Sequence, residues 1–133
     1  MTLIFCLDEK DGMLFGNKRQ SRDGALIQRL CEKISGARLF LTPYSAPLFP
    51  QEEWVIPCEH PETQGKKGDF YFVEDGALPQ GGVSRVILYR WNRRYPGTRF
   101  FDPAPWNLKL MQKEDFKGSS HENITEEIYE VRR

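Results

Sequence analysis

Hydrophobic positions along the chain fall into short apolar runs, each ended by a turn signal. The first run, Thr2–Leu7, is continuously apolar and stops at an acidic, glycine-containing segment, a pattern typical of a strand buried on both faces. Apolar residues then recur at helical spacing, which predicts a helix over 22–35 with Ser21 as its N-cap and Gly36 as its stop. A second apolar run at 37–41 follows. The order strand, helix, strand predicts a right-handed parallel crossover.

Five further segments have the β-branched and aromatic content of strands. They are 54–56, 69–73, 84–91, 108–111 and 124–131. We expect the last two to pair as a hairpin across a loop at 113–123. The pattern as a whole predicts one α/β domain over residues 1–133, three-layer-like, with a mostly parallel central sheet and a C-terminal antiparallel strand pair.

Charge and cysteine content narrow the environment and the partners. The chain has 19 basic and 19 acidic residues, so it lacks the positive charge that drives non-specific nucleic-acid binding. Its three cysteines are an odd number and lie far apart, as expected of reduced thiols in the cytoplasm. Apolar runs are far shorter than the roughly twenty residues that span a bilayer. We therefore expect a soluble, cytoplasmic protein with no membrane partner.

Four segments, read in order, resemble the dihydrofolate reductase family. They are 3–13; Asp23 with 39–42; 70–76 with 86–89; and 97–102 with 106–110 and 128–131. This resemblance covers most of the chain and implies a shortened, divergent member of that fold. It also implies a catalytic role for Asp23, which occupies the position of the carboxylate that hydrogen-bonds the pterin ring and assists its protonation.

The departures from the family fall on the elements that would hold a nicotinamide cofactor. Residues 73–76 read Val-Glu-Asp-Gly and keep one glycine of the family's pair, and the carboxylates of Glu74 and Asp75 would repel phosphate. Residues 42–45 read Thr-Pro-Tyr-Ser where the family has a basic run. We therefore assign no cofactor-binding residues, leave the cofactor unknown and expect no binding of NADPH in the family's usual mode.

Three polar runs carry the remaining candidate chemistry, at 19–23, 90–96 and 117–125. The candidate ligand-binding residues in them are Arg19, Arg22, Arg93, Ser120, His121 and Glu122. The fold implied by the resemblance brings these loops to one edge, where they would suit an anionic or heterocyclic small molecule. The alternative is structural: Asp23 stabilises the helix dipole, the arginines are solvated, and the loops hold one another in place.

The residue types and motifs that the sequence contains exclude several classes of enzyme. The chain has two histidines and no Cys-x-x-Cys pair, so we expect no zinc site, and no Walker loop or Rossmann fingerprint is present. The first hypothesis is a divergent dihydrofolate-reductase-like protein without NADPH-dependent reductase activity that binds a small ligand or a partner. One alternative is a reductase of a pterin or pyrimidine that holds its cofactor differently. Another, disfavoured by the neutral charge, is a nucleic-acid-binding module that uses 90–95.

Overall fold

The structure, a computed structural model, describes residues 1–132 and contains two sheets and one α-helix. The strands are β1 (Thr2–Leu7), β2 (Gly12–Phe15), β3 (Lys18–Arg19), β4 (Leu39–Leu41), β5 (Val55–Pro57), β6 (Phe70–Phe72), β7 (Arg85–Arg90), β8 (Arg99–Phe100), β9 (Asn107–Phe116) and β10 (Ile124–Arg132), and the helix is α1 (Gly24–Ile34). Two short 3-10 turns lie at Ala46–Leu48 and Pro61–Thr63.

The central sheet has seven strands in the order β5-β4-β6-β1-β7-β10-β9. Its first five strands are parallel, and β10 and β9 are antiparallel to their neighbours. Helix α1 connects β1 to β4, and β6 lies between those two strands. The predicted mostly parallel sheet with a C-terminal antiparallel pair is therefore confirmed, as is the placement of β1 and β4 in one sheet.

Helix α1 begins and ends for reasons that are visible in its sequence. Leu26, Leu30 and Ile34 lie four residues apart and are buried against the sheet. The N-cap is Asp23, whose carboxylate accepts hydrogen bonds from two amides of the first turn, so the prediction of Ser21 as N-cap is wrong. Gly36, at φ 84°, follows the helix and is suited to that conformation because it has no Cβ.

The C-terminal hairpin is longer than predicted. Strand β9 continues to Phe116, which pairs with Ile124, so the connecting loop spans 117–123 rather than 113–123. Residues 112–115 are charged or polar because β9 is the edge strand of the sheet and is exposed along nearly all of its length. A strand exposed on both faces carries no alternation of apolar and polar residues, so the sequence pattern missed it.

A second sheet of three strands, in the order β3-β2-β8, was not predicted. Two of these strands have two residues each, which is too short for a periodic pattern. The sheet covers the face of the central sheet opposite α1, where Met13 and Leu14 pack with Leu3 and Phe5 of β1. The molecule thus has three layers: α1, the central sheet and the small sheet.

Within residues 1–132, the structure contains no helix of the length and apolar character needed to cross a membrane. Its three cysteines are free thiols. Over the same residues there is no group of three or more histidine, cysteine or acidic side chains arranged to hold a metal ion.

Candidate functional site

The carboxyl ends of β1, β6 and β7 meet the N-terminus of α1 at one edge of the central sheet. In α/β proteins with parallel strands, ligands bind beyond this edge, in the crevice where neighbouring strands connect in opposite directions. Here β1 leads to β4 on one side, whereas β6 leads to β7 on the other side of β1. The loops that follow these strands carry most of the polar candidates from the sequence.

Asp23 is the most highly connected side chain at this edge. Its carboxylate is completely buried and accepts hydrogen bonds from the amides of Ala25 and Leu26 in α1. It also accepts from the amides and hydroxyls of Ser119 and Ser120, at 2.8–3.1 Å. The carboxylate therefore ties the start of α1 to the loop between β9 and β10, which lies 96 residues further along the chain.

These contacts keep the carboxyl of Asp23 ionised. Burial by itself raises its pKa, but the amides of Ser119 and Ser120 and the imidazole of His121 outweigh burial and hold the pKa far below its usual range. A carboxyl group with this pKa remains an anion at any physiological pH. It accepts hydrogen bonds and does not supply a proton.

His121 extends the same network on the other side. Its Nδ1 lies 3.0 Å from Oδ2 of Asp23, and its Nε2 lies 3.0 Å from the hydroxyl of Ser21 and 3.1 Å from that of Tyr95. The imidazole is buried and stacks on the indole of Trp91, with ring centroids 4.5 Å apart. The three polar runs 19–23, 90–96 and 117–125 therefore meet in space at His121.

The crevice between β1 and β6 is filled by an ion pair. Arg19 donates to both carboxylate oxygens of Glu74, at 2.6 and 2.7 Å, and Ser45 donates to the same carboxylate. The Glu74 side chain is 7% exposed. The remaining cavity, lined by Cys6, Phe72 and Trp91 among others, has a volume of about 10 Å³. That is room for about one water molecule.

The turn after β6 does not fit a nucleotide phosphate. Asp75 accepts a hydrogen bond from Thr42, and Arg99 donates to the carbonyls of Glu74 and Gly76. The donors near the turn are thus used by the chain itself, and the turn carries the carboxylates of Glu74 and Asp75. Gly76 is explained by packing, since a Cβ there would collide with the Tyr71 hydroxyl. The residues present therefore do not suit the NADPH that the fold family implies.

An open cleft lies beside this filled crevice, between α1 and the 3-10 turn at Ala46–Leu48. Its volume is about 470 Å³. Arg22, Ser119 and Ser120 form its polar wall, and its apolar wall consists of Ile27, Pro47 and Leu48. Both the volume and the mixture of a few polar groups with apolar surface are typical of small-molecule sites.

The predicted site residues do not all reach this cleft. Arg22, Asp23 and Ser120 line it, and Arg19 lines the small cavity next to it. His121 contacts Asp23 but lines neither space. Arg93 and Glu122 line a separate depression of about 290 Å³ beyond Trp91.

The arginines near this edge do not pair with Asp23. Asp23 is satisfied by amides, hydroxyls and an imidazole, whereas Arg19 pairs with Glu74 and Arg90 pairs with Asp11 and Glu127. These acids lie on strands or turns next to the arginines, and Asp23 faces the loop of 117–123 instead.

Four side chains important to the site were absent from the list of candidates: Ser21, Ser45, Glu74 and Tyr95. The sequence pattern predicts Ser21 as the helix cap and indicates for Glu74 only a charge that repels phosphate. A polar residue directly after a buried strand is the signal that could have identified Glu74, because such residues lie at the ligand edge of a parallel sheet.

The architecture and the edge crevice define an α/β protein with a mostly parallel central sheet, whose crevice is closed by its own side chains. No family model and no curated protein matches the sequence. Among solved structures, the chain is similar to dihydrofolate reductase from Enterococcus faecalis in complex with NADP(H) and RAB-propyl. The TM-score is 0.66, with 13% identity over 99% of this chain and 96% of that chain. The fold is therefore dihydrofolate-reductase-like, and the resemblance seen in the sequence is confirmed for the fold.

Proposed function

We propose that this dihydrofolate-reductase-like protein binds a small anionic molecule in the cleft beside α1 and does not use NADPH as a reductant. The observation that carries this proposal is the contrast between two neighbouring spaces. The crevice at the strand ends is filled by Arg19 and Glu74, whereas the cleft of about 470 Å³ next to it is open and has the exposed Arg22 at its rim.

The closed crevice gives the first prediction. NADPH added to the protein should cause no saturable quenching of tryptophan fluorescence and no thermal shift at micromolar concentrations. The physical reason is the negative charge of Glu74 and Asp75 at the turn after β6, together with the use of nearby donors by the chain itself. Trp91 is buried at this edge and would report on a nicotinamide bound there.

The control is ATP, which presents phosphates and an adenine ring without a nicotinamide. If neither nucleotide binds, the filled crevice accounts for both results. Saturable micromolar binding of NADPH alone would contradict the proposal and would favour a reductase that holds its cofactor in a different mode.

The chemistry of the cleft limits the ligand. Arg22 offers a planar guanidinium that can bind a carboxylate through two parallel hydrogen bonds. The opposite wall of Ile27, Pro47 and Leu48 offers apolar surface for a ring or an alkyl group. The hydroxyls of Ser119 and Ser120 already donate to Asp23, so they face a ligand as acceptors. An aromatic or aliphatic carboxylate fits the guanidinium and the apolar wall, with its charged group on Arg22 and away from the serine acceptors.

The second prediction tests this ligand class with benzoate. We expect benzoate to shift the NMR signals of residues around α1 with a Kd of about 1 mM, as is reasonable for so small a ligand. Arg22→Gln should weaken binding roughly tenfold or more, because it removes the charge that pairs with the carboxylate.

Two controls accompany the benzoate titration. Benzamide has the same ring and shape without the charge, and it should bind at least several-fold more weakly. Arg85→Gln removes an exposed arginine at the opposite end of the parallel strands, where β1 and β7 begin, and should leave benzoate binding unchanged. Equal binding of benzoate to wild type and Arg22→Gln would contradict the assignment of Arg22.

A further inference from the structure

Three side chains at the ligand edge form a row of carboxylate, imidazole and hydroxyl. Oδ2 of Asp23 lies 3.0 Å from Nδ1 of His121, and Nε2 of His121 lies 3.0 Å from Oγ of Ser21. This is the arrangement of an activated nucleophile, its base and the group that orients the base. We propose that Ser21 is a nucleophile activated by His121 and Asp23, and that the protein hydrolyses esters of small carboxylic acids through an acyl-Ser21 intermediate.

The orientation of the imidazole follows from its surroundings. The ionised carboxylate of Asp23 can only accept a hydrogen bond, so Nδ1 of His121 carries the proton. The lone pair of Nε2 then faces the hydroxyl of Ser21. Trp91 stacks on the ring at an interplanar angle of 24°, which fixes its plane. The tautomer and the orientation that a general base needs are therefore both set before any substrate binds.

A small cavity lies between Ser21 and the proposed ligand cleft. Ser21 is half-buried and lines the small cavity of about 10 Å³, and that cavity shares Arg22, Ile27 and Leu48 with the open cleft. The nucleophile inference rests on the proposed function in this respect, since an acyl group would reach Ser21 from the cleft. Side chains shared by the two spaces, such as Leu48, must move to admit it, because the small cavity holds about one water molecule. The exposed guanidinium of Arg22 at the junction can stabilise negative charge on the substrate.

The reaction balances with water as the only co-reactant. Oγ of Ser21 bonds to the ester carbonyl carbon as its proton moves to Nε2 of His121. The carbon–oxygen bond to the leaving alcohol then breaks, and the alcohol takes that proton. A water molecule attacks the acyl group and gives a proton to Nε2. The bond to Ser21 breaks, Oγ recovers the proton, and the carboxylic acid leaves.

Tyr95 adds a fourth group to the row of Asp23, His121 and Ser21. Its hydroxyl lies 3.1 Å from Nε2 of His121 and 3.5 Å from Oγ of Ser21. Nε2 has one lone pair, so Tyr95 and Ser21 compete to donate to it. When Tyr95 donates, Ser21 is not activated. Removing the phenol hydroxyl should therefore leave Ser21 as the sole donor and increase its reactivity.

The test is covalent labelling with a fluorophosphonate probe, followed by peptide mass spectrometry, together with hydrolysis of p-nitrophenyl acetate. We expect an adduct on Ser21 in the wild type, loss of at least about 100-fold in rate in Ser21→Ala and in His121→Gln, and several-fold faster labelling in Tyr95→Phe. Ser35→Ala changes an exposed serine at the other end of α1 and should react as the wild type does.

Folding and ligand binding are measured in parallel. Ser21→Ala removes one hydroxyl and should keep the wild-type circular dichroism spectrum and bind benzoate normally, so loss of its labelling reports on the nucleophile alone. The absence of a Ser21 adduct in both wild type and Tyr95→Phe, or an adduct on another residue, would overturn the inference. If benzoate fails to bind while Ser21 is labelled, the ligand class proposed for the cleft fails and the nucleophile stands.

Discussion

Asp23→Asn should destabilise the protein by roughly 3 kcal/mol and lower its Tm by about 10 °C. The substitution keeps the size of the side chain, but it removes the charge and turns one acceptor atom into a donor. That donor would face amides and hydroxyls of Ser119 or Ser120, which need an acceptor. Urea unfolding monitored by circular dichroism measures the loss.

The pH dependence of this loss follows from the lowered pKa of Asp23. A carboxyl whose pKa is lower in the folded state stabilises the protein above its unfolded pKa of about 4, and that stability disappears as the pH falls. The asparagine variant lacks this dependence. The difference between wild type and variant should therefore be largest at neutral pH and smaller by about 1 kcal/mol at pH 3.

Asp102→Asn is the matched control. Asp102 also accepts a backbone hydrogen bond, from Ala104, but it is exposed to solvent. Its substitution should change stability by less than about 0.5 kcal/mol. A difference between wild type and Asp23→Asn that is the same at pH 7 and pH 3 would show that the charge of Asp23 is not what stabilises the folded state.

The elements that could be predicted from the sequence are those that are buried. Strand β1 and helix α1 have continuous or periodic apolar residues because each contacts the core along its length. Strand β9 lies at the edge of the sheet, and the paired segments of β3 and β8 are two residues long, so neither kind of element leaves a periodic signal. Burial, rather than strand propensity, therefore determines which elements the sequence pattern predicts.

The meeting of the polar runs at one edge could be predicted from the sequence, but the pairing of individual side chains could not. Because β1 and β7 are parallel neighbours, the residues that follow them had to lie at one edge, and the run 19–23 indeed meets the run 90–96 there. The side chains that pair are far apart in the sequence: Arg19 and Glu74 are separated by 55 residues, and Asp23 and His121 by 98. No local pattern encodes such a choice.

The turn after β6 and the cluster around His121 are held by separate sets of contacts. A phosphate site needs unoccupied donors at a turn, and here Arg99 and Thr42 have been used to brace that turn from within. The cluster around His121 lies at the other side of the crevice, where α1 and the loop of 117–123 hold it. Its geometry does not depend on the turn that would hold a nucleotide.

Arg19 and Glu74 fill the crevice as an ion pair, and their contributions to the free energy of unfolding should be strongly coupled. Arg19→Met should cost about 3 kcal/mol, because it leaves the buried carboxylate of Glu74 with only the hydroxyl of Ser45. Glu74→Leu should cost less, since the side chain of Arg19 is 21% exposed and its guanidinium can turn toward water. The double variant should lie within about 1 kcal/mol of the wild type, because two apolar side chains of similar size fill the same space.

A double-mutant cycle in urea measures this coupling, which we expect to be about 3 kcal/mol or more. The matched control is the exposed pair Glu130 and Arg132, 4.0 Å apart on β10, whose coupling should be near zero. Additive effects of Arg19→Met and Glu74→Leu on stability would contradict the coupling of the two side chains.

The double variant also removes the Glu74 carboxylate from the crevice. Because Asp75 and the braced turn remain, it should still fail to bind NADPH, which separates a crevice closed by packing from one closed by the charge of Glu74 alone.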